Sequence, residues 1–201
     1  MALYAAERER KQVRARFAST DEWLETLGTR VRFSTLDAGN LPRAVELLNK
    51  TNQFNLRTRR LNQAELRSWA GAPGREVWVV HVSDRFGEAG LVGLLGLERA
   101  GATTTLIDCV LSCRVLGRRV EEAIVWAAVH RAREGGALRL AAPFFPTAKN
   151  NPCFTFFLRS GLEYEERGGR FTWDVDRPYP RPRTVHIEGA ELEAPAAVHH
   201  A

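Results

Sequence analysis

The chain has 201 residues, 44% of them apolar, with five Trp and ten Phe; this suits one packed domain with appendages and argues against a disordered chain. Its formal net charge of +5 is carried by Arg, with Lys only at Lys11, Lys50 and Lys149, which favours an anionic ligand or an acidic protein partner. Nucleic acid and membrane are not expected as partners: there is no recognition motif or basic stripe interleaved with aromatics, and no apolar run approaches the ~20 residues that cross a bilayer.

Residues 1–28 read as an amino-terminal extension. A densely charged, helix-favouring run from about Tyr4 to Ala18 lacks the apolar middle of a secretory signal, so a cytoplasmic location is expected. Ser19-Thr-Asp-Glu22 then has the spacing of a capping box, and Gly28 stops the short helix that it opens. Thr29 to Thr35 alternates as a strand. Asn40 and Pro42 open a helix with Leu41, Ala44, Val45, Leu47 and Leu48 at helical spacing. The segment from Asn49 to Arg60, NKTNQFNLRTRR, is dense in amides and cations for a mere connector. The bland alternative is a solvated loop whose Asn and Thr side chains cap neighbouring helices.

A helix is expected over Asn62 to Ala70, and strands over Glu76 to Ser83, Leu91 to Arg99 and Thr103 to Cys113. A helix from about Arg118 to Arg133 follows, stopped by Gly135-Gly136, then a strand over Ala137 to Phe145 and a helix over Pro152 to Ser160. Leu162-Glu-Tyr-Glu and Arg170-Phe-Thr-Trp-Asp make a last hairpin. From residue 179 the chain turns Pro-rich, then Ala- and His-rich, and a disordered tail is expected.

The stretch LIDCVLSCRVLGRRVEEAIVW, Leu106 to Trp126, organises the rest. It begins as a buried strand and turns through Arg114-Val-Leu-Gly117-Arg118-Arg119 into a helix. Free backbone N–H groups and the positive end of the helix meet at that corner, a combination that attracts phosphate. Cys109, Cys113 and Cys153 lack metal-ligand spacing, so free thiols and no metal are expected. Asp108 is a carboxylate in an apolar strand. It must be paired, hydrogen-bonded or protonated, either as a general base of raised pKa or as a structural anchor. Cys113 precedes the cationic turn, where a thiol becomes more acidic; it is a candidate nucleophile, although a free Cys is more often inert. His81 and His130 are lesser candidates as bases.

Arg114-x-x-Gly117-x-x resembles the pyrophosphate loop of the GNAT-type acyltransferases, usually Gln/Arg-x-x-Gly-x-Gly/Ala, with Arg119 where a small residue is usual. Asn151-Pro-Cys-Phe-Thr-Phe-Phe157-Leu-Arg-Ser-Gly161-Leu162 resembles that family's helix beside the pantetheine arm, with Phe157 where a tyrosine acid often stands. The resemblance implies a GNAT-type acyl-CoA N-acyltransferase fold over residues 29–178, an α/β domain with a central mixed sheet flanked by helices. It also implies coenzyme A or a carrier protein's phosphopantetheine as the bound group, held by Val110, Leu111, Ser112, Cys113, Arg114, Gly117, Arg118, Arg119, Asn151 and Phe157. Loss of the tyrosine proton disfavours ordinary transfer to an amine but permits thioester exchange, because a thiolate departs without an acid.

A narrower resemblance lies in Thr51-Asn-Gln-Phe-Asn-Leu-x-Thr-Arg-Arg60, Asp84-Arg-Phe-Gly-x-x-Gly-Leu-Val-Gly93, Leu111-Ser-Cys-Arg-Val-Leu-Gly-Arg118 and Pro146-Thr-Ala-Lys-Asn150. Together these are similar to the carboxy-terminal domain of FkbH-like proteins. Those proteins join a HAD-type domain to a GNAT-like one and are associated with loading a glyceryl unit from 1,3-bisphosphoglycerate onto an acyl carrier protein for polyketide assembly. This chain has no HAD signature, so it reads as either a dissected domain or a stand-alone relative, with the charged amino-terminal helix as the place where an upstream HAD-type domain would attach. The resemblance places Asn52, Gln53, Phe54, Asn55, Thr58, Arg59, Arg60, Lys149 and Asn150 on the acyl side, with Asp108 or Cys113 as the chemical participant. Two readings follow: an acyltransferase-type domain, or a non-catalytic docking module for an acidic carrier protein.

Overall fold

A computed structural model describes residues 9, 10, 13, 14 and 17–189. Of the charged amino-terminal run, residues 9, 10, 13 and 14 are helical, and the rest of that expected helix lies outside the described residues. Helix α1 (Thr20–Leu27) starts where the Ser19 hydroxyl accepts the Glu22 N–H and ends at Gly28. The order continues β1 (Thr29–Thr35), α2 (Leu41–Lys50), α3 (Gln63–Ala70), β2 (Arg75–Asp84), β3 (Gly87–Ala100) and β4 (Thr103–Leu111). A 3₁₀ turn over Cys113–Val115 leads to α4 (Val120–Glu134), then β5 (Arg139–Pro143), α5 (Asn151–Arg159), β6 (Glu163–Glu165), β7 (Arg170–Asp174) and β8 (Val185–Glu188).

The eight strands form one sheet in the order β6-β7-β5-β4-β3-β2-β1-β8. Pairing is antiparallel except for β4 with β5 and β1 with β8. Helices α2 and α3 bury Leu41, Leu47, Leu48 and Leu66 against Val77, Val79, Leu94 and Val110 on one face. Helix α4 and the buried side of α5, Cys153 and Phe157, join the larger core on the other. Helix α4 is buried over most of its surface because the sheet covers one side and the chain after β7 crosses another, with Arg181 stacked 5.0 Å from the Trp126 ring.

A bulge in β4 sets which side chains face which layer. Gly96 pairs with Asp108 and Leu97 with Leu106, so Ile107 is the extra residue. Beyond it Asp108 and Val110 turn toward α2 and α3, while Cys109 and Leu111 enter the larger core.

Disorder from residue 179 is not what residues 179–189 show. The Tyr179 hydroxyl donates to the Ser160 carbonyl at 2.8 Å, its ring lies edge-on to Trp173 at 5.3 Å, and β8 adds an edge strand beside β1. The alternating prolines hold an extended strap rather than a coil. Among the described residues no helix is long and apolar enough to cross a membrane.

Candidate functional site

The residues singled out from the sequence gather in two places: the gap between β4 and β5, and the corner between β4 and α4. Strands β4 and β5 pair only through Thr103–Thr105 and Arg139–Ala141. Beyond Thr105 they part, and one backbone edge of β4 loses its neighbour.

Residues 53–57 occupy that edge. The Leu111 N–H donates to the Phe54 carbonyl at 3.1 Å, the Leu56 N–H donates to the Cys109 carbonyl at 3.3 Å, and Asn55 bridges Val110 in antiparallel fashion. On the far side the Phe145 N–H donates to the Leu56 carbonyl at 2.9 Å, and the Cys153 N–H reaches the Gln53 carbonyl at 3.3 Å. The segment therefore lies in the gap as an inserted strand, with Phe54 and Leu56 buried in the core. These bonds pair backbone groups on both sides of the gap within the protein itself.

Two buried asparagines fix the insertion. Asn55 Oδ1 accepts the N–H groups of Arg57 at 3.2 Å and Thr58 at 2.8 Å, while its Nδ2 donates to the Thr51 carbonyl at 3.0 Å. Asn150 Nδ2 donates to the carbonyls of Asn55 and Phe145, both at 3.0 Å, and its Oδ1 accepts the Thr147 N–H at 2.7 Å. These bonds hold Thr58 at φ 50°, an uncommon conformation for a β-branched residue. Asn52 and Arg60 hydrogen-bond each other at 2.5 Å, and Arg60 also donates to the Leu48 carbonyl at 2.7 Å. Gln53 and Lys149 point to solvent, and so does Asn151; Asn150, one position earlier, is the buried anchor.

The corner is filled from within as well. The Gly117 N–H donates to Glu121 Oε1 at 2.5 Å. Glu121 is 7% exposed, and burial pushes its carboxyl up to about 7 although the Gly117 bond opposes this. Arg118 is buried, donating to Asp84 at 3.1 Å and to the Arg114 carbonyl. Asp84 also receives Arg10 through two bonds of 2.7 and 2.9 Å, tying the amino-terminal segment to this corner. Arg119 has φ 63°, which accounts for the small residue usual there, and it pairs with Asp21 and Glu122, each at 2.9 Å. Those bonds, Asp21 first, raise its pKa above the ordinary guanidinium value. Arg114 is half-buried, with its Nε 3.3 Å from the Ser112 hydroxyl, and the Cys113 thiol is exposed beside it.

Asp108 is fully buried and held by Arg59 through one edge of its guanidinium, Nε to Oδ1 at 3.0 Å and Nη2 to Oδ2. Arg59 stacks on Trp69 at 4.6 Å. Gly96 makes room for this group, since a Cβ there would lie 3.0 Å from Asp108 Oδ2 and 3.3 Å from the Trp69 ring. A carboxylate gripped in this way anchors the 59–60 loop. Phe157 is core, packed 5.3 Å from Phe171. His81 is lowered by burial, and His130 stacks on Trp126 at 5.1 Å.

The part that Glu121 and Asp84 play at this corner escaped sequence reasoning. An acid in the first turn of a helix, four residues after a Gly corner, is the available signal for the first. The second sits beside a Gly-containing hairpin turn with nothing local to mark it as buried.

No protein-family model matches this sequence, and no curated protein does. Among solved structures, an acetyltransferase of the GNAT family from Staphylococcus aureus MU50 superposes with a TM-score of 0.56 at 10% identity, over 72% of this chain and 99% of that one. The GNAT domain of S. lividans PAT gives 0.54 at 16%, over 71% and 89%. Rv2747 from Mycobacterium tuberculosis, solved in complex with CoA and NLQ, gives 0.50 at 19%, over 67% and 72%. These likenesses, together with the parting of β4 from β5, show that the chain has the GNAT acetyltransferase fold.

Proposed function

We propose that this chain is a GNAT-fold docking module for the acidic carrier protein of an acyl-loading system, and that its own chain closes the slot where the fold usually admits pantetheine. One observation carries the reading: residues 53–57 lie hydrogen-bonded between β4 and β5, where a pantetheine arm would otherwise pair with the β4 backbone. Asp108 tied to Arg59 and the absence of a phenol at Phe157 support it, because neither leaves a free acid or base at the gap. The resemblance to the carboxy-terminal domain of FkbH-like proteins supplies the setting, glyceryl loading beside a HAD-type partner in the cytoplasm. The pairing of Arg10 with Asp84 supports attachment of that partner through the amino-terminal segment.

A second reading, acyl transfer through Cys113, is favoured by one feature. That thiol is exposed and next to Arg114 in the chain. Mass spectrometry after mixing with glyceryl- or acetyl-loaded carrier separates the two. Tight association with every acyl group still on the carrier is the expected result; an acyl adduct on Cys113, or passage of the group to a second thiol, would establish the enzyme instead.

A further inference from the structure

We infer that the partner docks on an arginine-rimmed cleft between α5 and the strap that follows β7, and that the occupant is a helix carrying a run of carboxylates. This deepens the docking proposal and rests on it. The cleft measures about 980 Å³. Arg159 from the last turn of α5 and Arg181 and Arg183 from the strap line it, and Phe156, Tyr179 and Pro152 give it an apolar floor.

These arginines differ from several on this surface that are locked into ion pairs. Arg43, Arg75, Arg131 and Arg170 are neutralised by Glu46, Glu98, Glu76 and Glu165 respectively. Arg159, Arg181 and Arg183 form no ion pair among the described residues. Their scaffold is stiff. Prolines at 178, 180 and 182 keep the strap extended, Tyr179 pins it to Ser160 and Trp173, and Arg181 rests on Trp126. Charges held on a stiff scaffold lose little freedom when a partner pairs with them.

The opposite wall sets polarity. There Arg119 is already paired with Asp21 and Glu122, and Glu25 adds a further carboxylate. An acidic helix is repelled from that end and drawn to the Arg159–Arg183 end, so it seats in one direction. Its apolar face meets Phe156 and Tyr179. Carboxylates spaced three and four residues apart line one side of a helix and can reach α5 and the strap together.

The test is calorimetric titration of the full chain with a holo acyl carrier protein, using wild type, Arg159→Glu/Arg183→Glu and Arg159→Lys/Arg183→Lys. Both positions are exposed, so the variants keep the fold, which circular dichroism checks. Charge reversal should weaken the carrier about 30-fold, and the Lys pair should stay within about fivefold of wild type. Carrier binding that survives reversal undiminished would overturn this surface and leave the docking reading standing. Wild type that fails to bind the carrier at all would overturn both. Free coenzyme A bound by wild type and lost on reversal would reassign the cleft to a nucleotide and overturn the acidic helix.

Discussion

Replacing Glu121 with Gln should abolish a specific pH dependence of stability. Burial holds this carboxyl at about 7 in the folded chain, against an ordinary value of 4.5. That difference corresponds to about 3 kcal/mol between the two protonation states. Below pH 4.5 folded and unfolded chains both keep the proton and the group costs nothing. Between 4.5 and 7 the unfolded chain gives up its proton while the folded chain retains it, so stability falls as pH rises; above 7 the full penalty is in place. Gln keeps an oxygen to accept the Gly117 N–H and has nothing to ionise. Urea denaturation of both proteins from pH 4 to pH 8 should therefore show the variant gaining about 3 kcal/mol on wild type across this window. Subtraction cancels every other titrating group. A difference constant to within about 0.5 kcal/mol would refute the reasoning and mean that Glu121 is ionised and well solvated in the folded chain.

Other substitutions probe the inserted segment and its supports. Arg59→Ala should cost about 3–5 kcal/mol by leaving the Asp108 carboxylate buried without its cation, and Arg59→Ala/Asp108→Asn should recover a large part of that; equal losses would show that the pair is not coupled. Asn150→Ala should cost about 2–3 kcal/mol, since it frees the buried Asn55 carbonyl among others, and thermal denaturation will show it. Arg119→Gly should change stability by no more than about 1 kcal/mol, because relief at φ 63° offsets the loss of partly exposed ion pairs. A loss above about 2 kcal/mol would show the Asp21 pair to be a structural tie.

Local signals placed most of the architecture. Periodicity and capping located β1, α1 and α3 to within a residue, because Ser19, Gly28 and Asn62 act on their immediate neighbours. The strap failed for the opposite reason: PYPRPR reads as coil, and only Trp173 with the distant Ser160 and Trp126 gives Tyr179 and Arg181 somewhere to pack. The same limit applies at the site. The amide-rich stretch at 49–60 stood out, but its role depends on where β4 leaves β5, a property of the whole sheet. Arg118 and Arg119 read as phosphate ligands as long as Asp84 and Asp21, far away in sequence, were out of view. Asp108 carried both readings, and Arg59, the partner that the structural one requires, lies 49 positions away.

The closure of the gap by residues 53–57 is most directly tested by following the backbone amides of Leu56, Leu111 and Phe145 by NMR as coenzyme A is added. The account predicts that these signals stay in place and keep slow hydrogen exchange, because their partners are already within the chain. Saturable shifts at all three, with faster exchange at Leu56 as the segment withdraws, would contradict it.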